Sequence, residues 1–522
     1  MREHSGGTER PKPSFRAKLW SDTAILVYLG LAKLLIHLAF NGRYGYFRDE
    51  LYSLVCGERL DFGYVDHPPL IPLLARVSKA MFGDSLLGLR LFPAVAGAVT
   101  VVLAGLIVRR LGGRRWAQVL TAVSVIVSAV ILNFGYLLTN NALDIMFWTL
   151  TAYLLIVIIQ DKRPRLWLAW GAAAGLALQN KYSIAFFVAG LGIGFLLTSA
   201  RSELRKVWPW AGAAAAFLII LPNLLWQVRH GLPFIELNRN AVLHKNAILS
   251  PLQFLGGQLQ EASLLVLPLI LAGFLFFLLA PSMKPFRFFG WAYLALFAFF
   301  VFSGGKPYYL AAVYPLMIAG GAALLERGIA RTRRAWLKPL SLILVVMAGA
   351  VSAPFALPIL PVDRLIVFGQ FLGVTPAAGE RLEMGALPQH FADQFGWAEM
   401  TDAVARIYGG LTEADQKECS IFAQNYGEAS ALIILGRSRG LPPAISGHNN
   451  YWVWGPGRGS GRIMIVIGGR AEDYRRVFDQ VTEAGRTKCP LAMPYENDLP
   501  IFVCRGLRVP LDVGWPQVRH FI

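Results

Sequence analysis

Apolar runs separated by short polar breaks fill the first 360 residues, after which the pattern changes. A bilayer core takes about 20 helical residues. By that measure eleven runs read as spans: 20–40, 86–108, 117–137, 142–160, 167–180, 183–199, 208–228, 255–280, 288–302, 308–325 and 337–360. The breaks alternate in character. With the N-terminus inside, the inner segments are MREHSGGTERPKPSFRAK, RRLGGRRW, DKRPR, RSELRK, PSMKPFR and ERGIARTRRAWLK, each short and rich in Lys and Arg. The opposite segments are an acidic loop at about 41–85, then TNN, NKYS, RHGLPFIELNRNAVLHKN and SGGKPYY. Retention of positive loops on the cytoplasmic side accounts for that polarity. An odd number of spans then leaves residues 361–522 outside.

Those outer residues carry ordinary charged surface, an amphipathic helix pattern at 397–408, strand patterns at 462–467 and 501–504, and turn-rich GLPP, SGHNN and WGPGRGSG. They predict a small soluble α/β domain. The expected fold class is a polytopic α-helical membrane domain over residues 1–360 followed by an extracytoplasmic α/β domain over 361–522. Composition agrees: hydrophobic residues are 55%, mean hydropathy is +0.48, and charged residues are 16%, well below the roughly 25% of soluble domains. The formal charge of +18 sits largely in the inner loops, with no basic stripe interleaved with stacking aromatics, so nucleic acid is not an expected partner. The first run is long enough to stay as an anchor, so no cleaved leader is expected. Four cysteines are too few for a disulfide framework, although an oxidising compartment permits Cys489 to pair with Cys504.

The candidate chemistry starts in the acidic loop, where Asp49, Glu50, Glu58, Asp61 and Asp66 fall within eighteen residues. Acidic groups beside a membrane are costly unless used. DELYSLVCGERL has helical spacing, so Asp49 and Glu50 begin a helix. There they can accept a proton, ligate a divalent cation, or simply favour the helix N-terminus. Asp66-His67-Pro68-Pro69 leads into another apolar helix; it reads as N-terminal capping chemistry or as part of the same pocket. In TNNALDIMF, Asn141 and Asp144 are i and i+3 and share a face, with Thr139 or Asn140 as a cap.

Two lysines follow short spans. Trp167–Asn180 covers about 21 Å as a helix, less than the roughly 30 Å core, and ends at Lys181. The run 288–302 is similarly short before Lys306. A lysine there snorkels or pairs with an anion, for which a lipid phosphate is the natural choice. Tyr182, Tyr308 and Tyr309 add hydroxyl donors, and Arg239, His244 and Lys245 of the long outer loop are further phosphate-seeking candidates. No G-x-x-x-x-G-K-[ST] or nucleotide-binding glycine pattern occurs. The energy for transfer must therefore arrive in an activated substrate, and a lipid-phosphate donor fits an outward face with acids and lysines.

FRDELY and DHPPL in the first outer loop, NNALDIMFW, LQNKYS, GKPYYL with YPL after it, and the tail phrases LPQHFADQFGW and QNYGEASAL together resemble the GT-C superfamily of polyprenyl-phosphate-dependent glycosyltransferases. The likeness is to the bacterial protein-mannosyltransferase-like and aminoarabinose-transferase-like group. It implies many transmembrane helices and two helices lying along the membrane in the first outer loop. A sugar would come from a polyprenyl phosphate, and the acceptor, a glycan, lipid or protein, from the outer side of the cytoplasmic membrane. Asp49 maps to the general base, Glu50 is the adjacent alternative, and Asp144 falls near a second acidic position. Lys181, Lys306, Tyr308, Tyr309, Lys245 and Arg239 would hold the donor phosphate; Asp66, His67, Asn141 and Tyr182 would line the substrate pocket. Some members of the superfamily need a divalent cation such as Mg or Mn, for which Asp49 and Glu50 are the candidate ligands. NNALD departs from the LTPD-like pattern of lipid A aminoarabinose transferases, so that substrate is not implied.

The expected reaction is a single displacement with inversion: Asp49 takes the acceptor proton while the polyprenyl phosphate leaves against the basic groups. A lipid or sugar transporter is the alternative, since short spans ending in lysines suit a path at membrane depth. The acids crowd the outer face instead of the midplane, and no inverted repeat is visible.

Overall fold

The computed structural model describes residues 19–247, 249–376, 380–457 and 459–522. The basic segment 1–18, expected inside, lies outside the described residues. Among the described residues, seven helices are long and apolar enough to cross a membrane, or up to nine if two bent pairs each count as one span. Eleven runs were expected from hydropathy. Each is helical, but Leu166–Asn180 is only 15 residues long and three other runs break or turn sharply. The run 117–137 breaks at Ser128, whose extended backbone (φ −60°, ψ 123°) separates Arg115–Val127 from Ala129–Phe134. Ile184–Leu196 turns through 111° into Ser199–Arg205, and Pro251–Ala262 turns through 109° into Leu267–Leu279. Hydropathy averages over such corners because both arms are apolar. The protein is a multi-pass membrane protein.

Glycines set the closest helix crossings. A Cβ on Gly273 would lie 1.8 Å from the Met317 carbonyl oxygen, and one on Gly321 would lie 2.0 Å from that of Leu269. The helices Leu267–Leu279 and Tyr314–Thr332 therefore meet backbone to backbone, the usual device where lipid supplies no hydrophobic drive.

The acidic loop at about 41–85 folds into two helices, Arg48–Glu58 and Leu70–Phe82. It is fastened to the membrane helices through Arg90, at the start of the Leu91–Arg110 helix. Arg90 donates from Nε to Glu50 Oε1 (2.9 Å) and from Nη2 to Glu50 Oε2 (2.8 Å). It also donates to the carbonyls of Asn41 and Gly45 and to the Tyr136 hydroxyl. Glu50 further accepts the backbone N–H groups of Phe47 and Leu138. Both side chains are 0% exposed.

The tail forms a five-stranded sheet in the order β2 (Ala444–Ser446), β1 (Cys419–Ala423), β3 (Ile463–Ile467), β5 (Pro500–Leu507), β4 (Phe478–Arg486). β2–β1–β3 pair in parallel, and β5 and β4 continue the sheet antiparallel. The strand patterns at 462–467 and 501–504 fall on β3 and β5, and the amphipathic pattern on the helix Trp397–Gly409. Cys489 and Cys504 are separate buried thiols, not the permitted pair: Cys504 sits mid-strand in β5 opposite Met464 and Val481. The sheet domain does not stand apart from the loop. Leu51, Tyr52, Val55 and Cys56 of the Arg48–Glu58 helix share one apolar core with Trp397, Tyr426, Ile433 and Ile465.

Inside that domain Glu428 and Glu496 are buried together. Each accepts from the Asn425 amide (2.9 Å), while Glu496 Oε2 has no partner among the described residues. Burial pushes Glu428 up to about 7, and burial plus the neighbouring Glu428 raises Glu496 strongly.

Two stability predictions follow from these buried charges. Glu50→Gln leaves the Arg90 guanidinium buried without a counter-charge, so stability should fall by about 3–5 kcal/mol; thermal melting of the detergent-purified protein checks this, with Asp49→Asn expected to melt near wild type. For the acid pair, the folded chain holds a proton that the unfolded chain has lost above its ordinary value of 4.5. Its contribution to stability therefore declines as pH rises from about 4.5 to about 7. The same melts across that range should show Glu496→Gln flattening this slope.

Candidate functional site

One cavity of about 510 Å³ gathers most of the expected site. It sits where the helices Asn140–Asp161, Leu166–Asn180 and Arg287–Phe302 end on the side of the acidic loop. Asp66, Asn141, Asp144, Lys181, Tyr182, Lys306, Tyr308 and Tyr309 all line it. Ile145, Phe186, Phe299 and Phe300 line its apolar depth.

Local structure explains the placement. Thr139 caps the helix that starts at Asn140, which puts Asn141 and Asp144 one turn apart on the cavity face. Lys181 follows the last turn of its helix, its N–H bonded to the Ala177 carbonyl at 2.8 Å and its backbone extended. The Arg287–Phe302 helix ends at Gly304, whose φ of 68° is the left-handed conformation that glycine adopts without strain. The Gly305 N–H bonds back to the Phe300 carbonyl, and the chain reverses to present Lys306, Tyr308 and Tyr309.

The contacts divide the polar groups. Lys181 Nζ donates to Asn141 Oδ1 at 2.7 Å and lies 4.0 Å from Asp144 Oδ2. It also faces the rings of Tyr308 and Tyr309 at 5.7 and 5.8 Å. The Ser183 hydroxyl bonds Asp144 at 2.6 Å. The Tyr182 hydroxyl donates to Asn223 at 2.7 Å, and its ring meets Phe234 edge-on. Asp66 accepts from the Tyr52 hydroxyl at 3.1 Å and, more weakly, from the Asn449 amide at 3.4 Å. Burial raises the Asp66 carboxyl, His67 opposes, and the charge of Asp49 adds to the rise. Asp66 does not cap the Leu70–Phe82 helix, whose N-cap is Pro69.

Other expected residues stand outside the cavity. Asp49 is not in its lining; 42% of its side chain is exposed, and Oδ1 accepts the Tyr426 hydroxyl at 2.8 Å. Its charge is felt at Asp66 and Lys245. Glu50 faces the other way. Its oxygens are committed to Arg90, Phe47 and Leu138, so it is a structural counter-ion and not an alternative base. For the same reason Asp49 and Glu50 do not converge on a metal ion. His67 turns its ring onto Tyr52 and Tyr64, with Nδ1 within 3.0 Å of the Pro68 carbonyl, and does not line the cavity. Arg239 is exposed on the helix Pro233–Asn240 and contributes nothing to the lining. Lys245 points to Glu380, which also bonds Lys306.

Sequence reasoning passed over Ser183, Tyr426 and Glu380. Ser183 lies inside the NKYS phrase and Tyr426 inside QNYGEASAL, so both carried a signal. Glu380 lies in plain tail sequence and carried none.

Comparison with known proteins bears on this geometry. Residues 66–226 match the family model for dolichyl-phosphate-mannose-protein mannosyltransferase. The chain is 27% identical over 215 residues to a lipid A galacturonosyltransferase, RgtD, of Rhizobium johnstonii, covering 40% of this chain and 44% of that protein. It is 23% identical over 249 residues to a polyprenol-phosphate-mannose–protein mannosyltransferase of Mycolicibacterium smegmatis, covering 40% of this chain and 48% of that one. The matches thus span about half the length of these curated relatives. In structure, ArnT from Cupriavidus metallidurans bound to undecaprenyl phosphate superposes with a TM-score of 0.61 at 16% identity, over 92% of this chain and 97% of that one. The resemblance carried by the loop motifs is borne out in sequence and in fold: the chain is a multi-pass membrane protein of the ArnT-like GT-C fold, and its residues 66–226 are similar to the mannosyltransferase family model.

Proposed function

We propose that this protein is a glycosyltransferase that moves a sugar from a polyprenyl-phosphate donor to an acceptor on the outer side of the cytoplasmic membrane. The observation that carries the reading is the cavity in which Lys181 and Lys306, with Tyr308 and Tyr309, face Asp144 and Asp66 at the ends of apolar helices. Cations at that depth suit the phosphate, and the apolar walls suit an isoprenoid chain. In a low-dielectric site such charges act strongly on a developing phosphate anion. The GT-C relatives support the same chemistry. The sheet domain and the cavity share the end opposite the short basic loops, which supports an extracytoplasmic placement for both.

Asp49 is the proposed base. Its side chain is 42% exposed, the Tyr426 hydroxyl holds Oδ1, and its charge reaches Asp66 of the cavity lining. It takes the acceptor hydroxyl proton as that oxygen bonds the anomeric carbon. The bond from that carbon to the phosphate oxygen breaks with its electron pair, and the leaving polyprenyl phosphate keeps its charge against Lys181 and Lys306. One displacement inverts the anomeric centre. Asp144, held by Ser183 and close to Lys181, orients the lysine and is a positioning residue in this scheme. With Glu50 withdrawn, the transfer is proposed to proceed without a divalent cation.

Comparative glycolipid and glycan mass spectrometry of a deletion strain and its parent identifies the sugar and the acceptor; an unchanged profile would overturn the reading. Asp49→Asn should lower transfer by about 100-fold or more at unchanged expression and melting temperature. Lys181→Ala and Lys306→Ala should raise the KM for the donor more than that for the acceptor. Activity should persist in EDTA.

A further inference from the structure

Lys306 and Lys245 both turn to one carboxylate. Glu380 Oε1 lies 2.9 Å from Lys306 Nζ and 4.0 Å from Lys245 Nζ. The side chain is only 10% exposed, and its second oxygen, Oε2, is buried with no hydrogen-bond partner among the described residues. Glu380 is brought there by backbone pairing: it bridges Asn246, and the Arg381 N–H donates to the Lys245 carbonyl at 2.8 Å. The Arg381 side chain adds bonds to the carbonyls of Asn246 and Leu243. The tail residue is thus clamped to the long outer loop, with its carboxylate aimed at the ammonium groups. Lys245, Lys306 and Arg48 hold the Glu380 carboxyl below its ordinary range, so it stays ionised there.

A carboxylate and a phosphate monoester anion ask for the same surroundings: cationic donors at one end, and tolerance of a second charged oxygen. Lys306 lines the cavity alongside Lys181, so its ammonium is shared between the cavity and Glu380. Among the described residues Oε2 is left without a donor, and an unsatisfied buried oxygen is costly. We propose that Glu380 is an internal competitor for the phosphate of the donor and product: anchored beside Lys245, it holds Lys306 when no phosphate is bound and reclaims it to expel the polyprenyl phosphate after transfer. This rests on the polyprenyl-phosphate reading and adds regulation of that same site by the outer domain.

Competition lowers the apparent affinity by the fraction of time Lys306 is free. The test is binding of undecaprenyl phosphate to the full-length protein in phosphatidylcholine nanodiscs, with inorganic phosphate and undecaprenol in parallel arms. Glu380→Gln should tighten binding of undecaprenyl phosphate about tenfold and slow its dissociation. Glu383→Gln removes the same charge from an exposed neighbour and should change nothing. Glu380→Asp, one methylene shorter, should fall between, and it covers the case in which Glu380→Gln fails to fold. Inorganic phosphate should gain in the same ratio but bind more weakly, and undecaprenol should be indifferent. Unchanged or weaker binding by Glu380→Gln, with wild type binding measurably, would overturn the competition and leave the donor reading standing. Absence of undecaprenyl phosphate binding in every variant would overturn the donor reading and the competition with it.

Discussion

The buried pair of Glu50 and Arg90 is the joint on which the rest of the architecture depends. It brings together the loop after the first helix, the Arg48–Glu58 helix, the start of the Leu91–Arg110 helix and the segment around Leu138. The sheet domain enters through Gln394, whose side-chain oxygen accepts from Arg90 and Tyr136. An ion pair with both partners fully buried gains little net stability. Its consequence here is geometric. The arginine's donors are met by acceptors from four separate stretches, and few other arrangements of those stretches leave it satisfied.

From that joint the rest of the site takes its bearings. Asp49 and Glu50 are chemically alike, and the helix turns them about 100° apart. Glu50 points into the protein and is neutralised. Asp49 points to the edge and meets the Tyr426 hydroxyl, a group that arrives from the sheet domain. The tail domain also supplies Asn449 and Asn450, which bond Asp66 and the Val65 N–H, and Asp393, which lies 3.8 Å from Arg48. The sheet domain and the first loop are accordingly one body around a shared core, and the first loop brings Asp66 and Pro68 to the cavity.

The membrane side contributes the opposite charge. Lys181 and Lys306 occupy the ends of apolar helices, where a free ammonium is costly. Each has found a provisional partner, Asn141 beside Asp144 for one and Glu380 for the other. Partners of this kind keep cations in place in a poor solvent while leaving them exchangeable for a stronger anion.

Much of this was legible in one dimension. Apolar runs identified the membrane domain, because burial in lipid demands about 20 consecutive apolar residues and any sequence that spans must show them. Alternating strand residues and turn clusters identified the α/β tail. The lysines after short runs and the Asn141–Asp144 spacing identified the cavity, since helix periodicity alone puts those groups at one depth and on one face. The corners at Ser128, Leu197 and Ser263 were invisible, because hydropathy does not report backbone direction. Nor could the chain order show that Glu50 belongs to Arg90, that Tyr426 reaches Asp49, or that Glu380 reaches Lys306. These contacts join residues 40, 377 and 74 positions apart. Local chemistry determined which groups are available; the folding of distant segments against one another decided which carboxylate is spent on structure and which stays partly exposed.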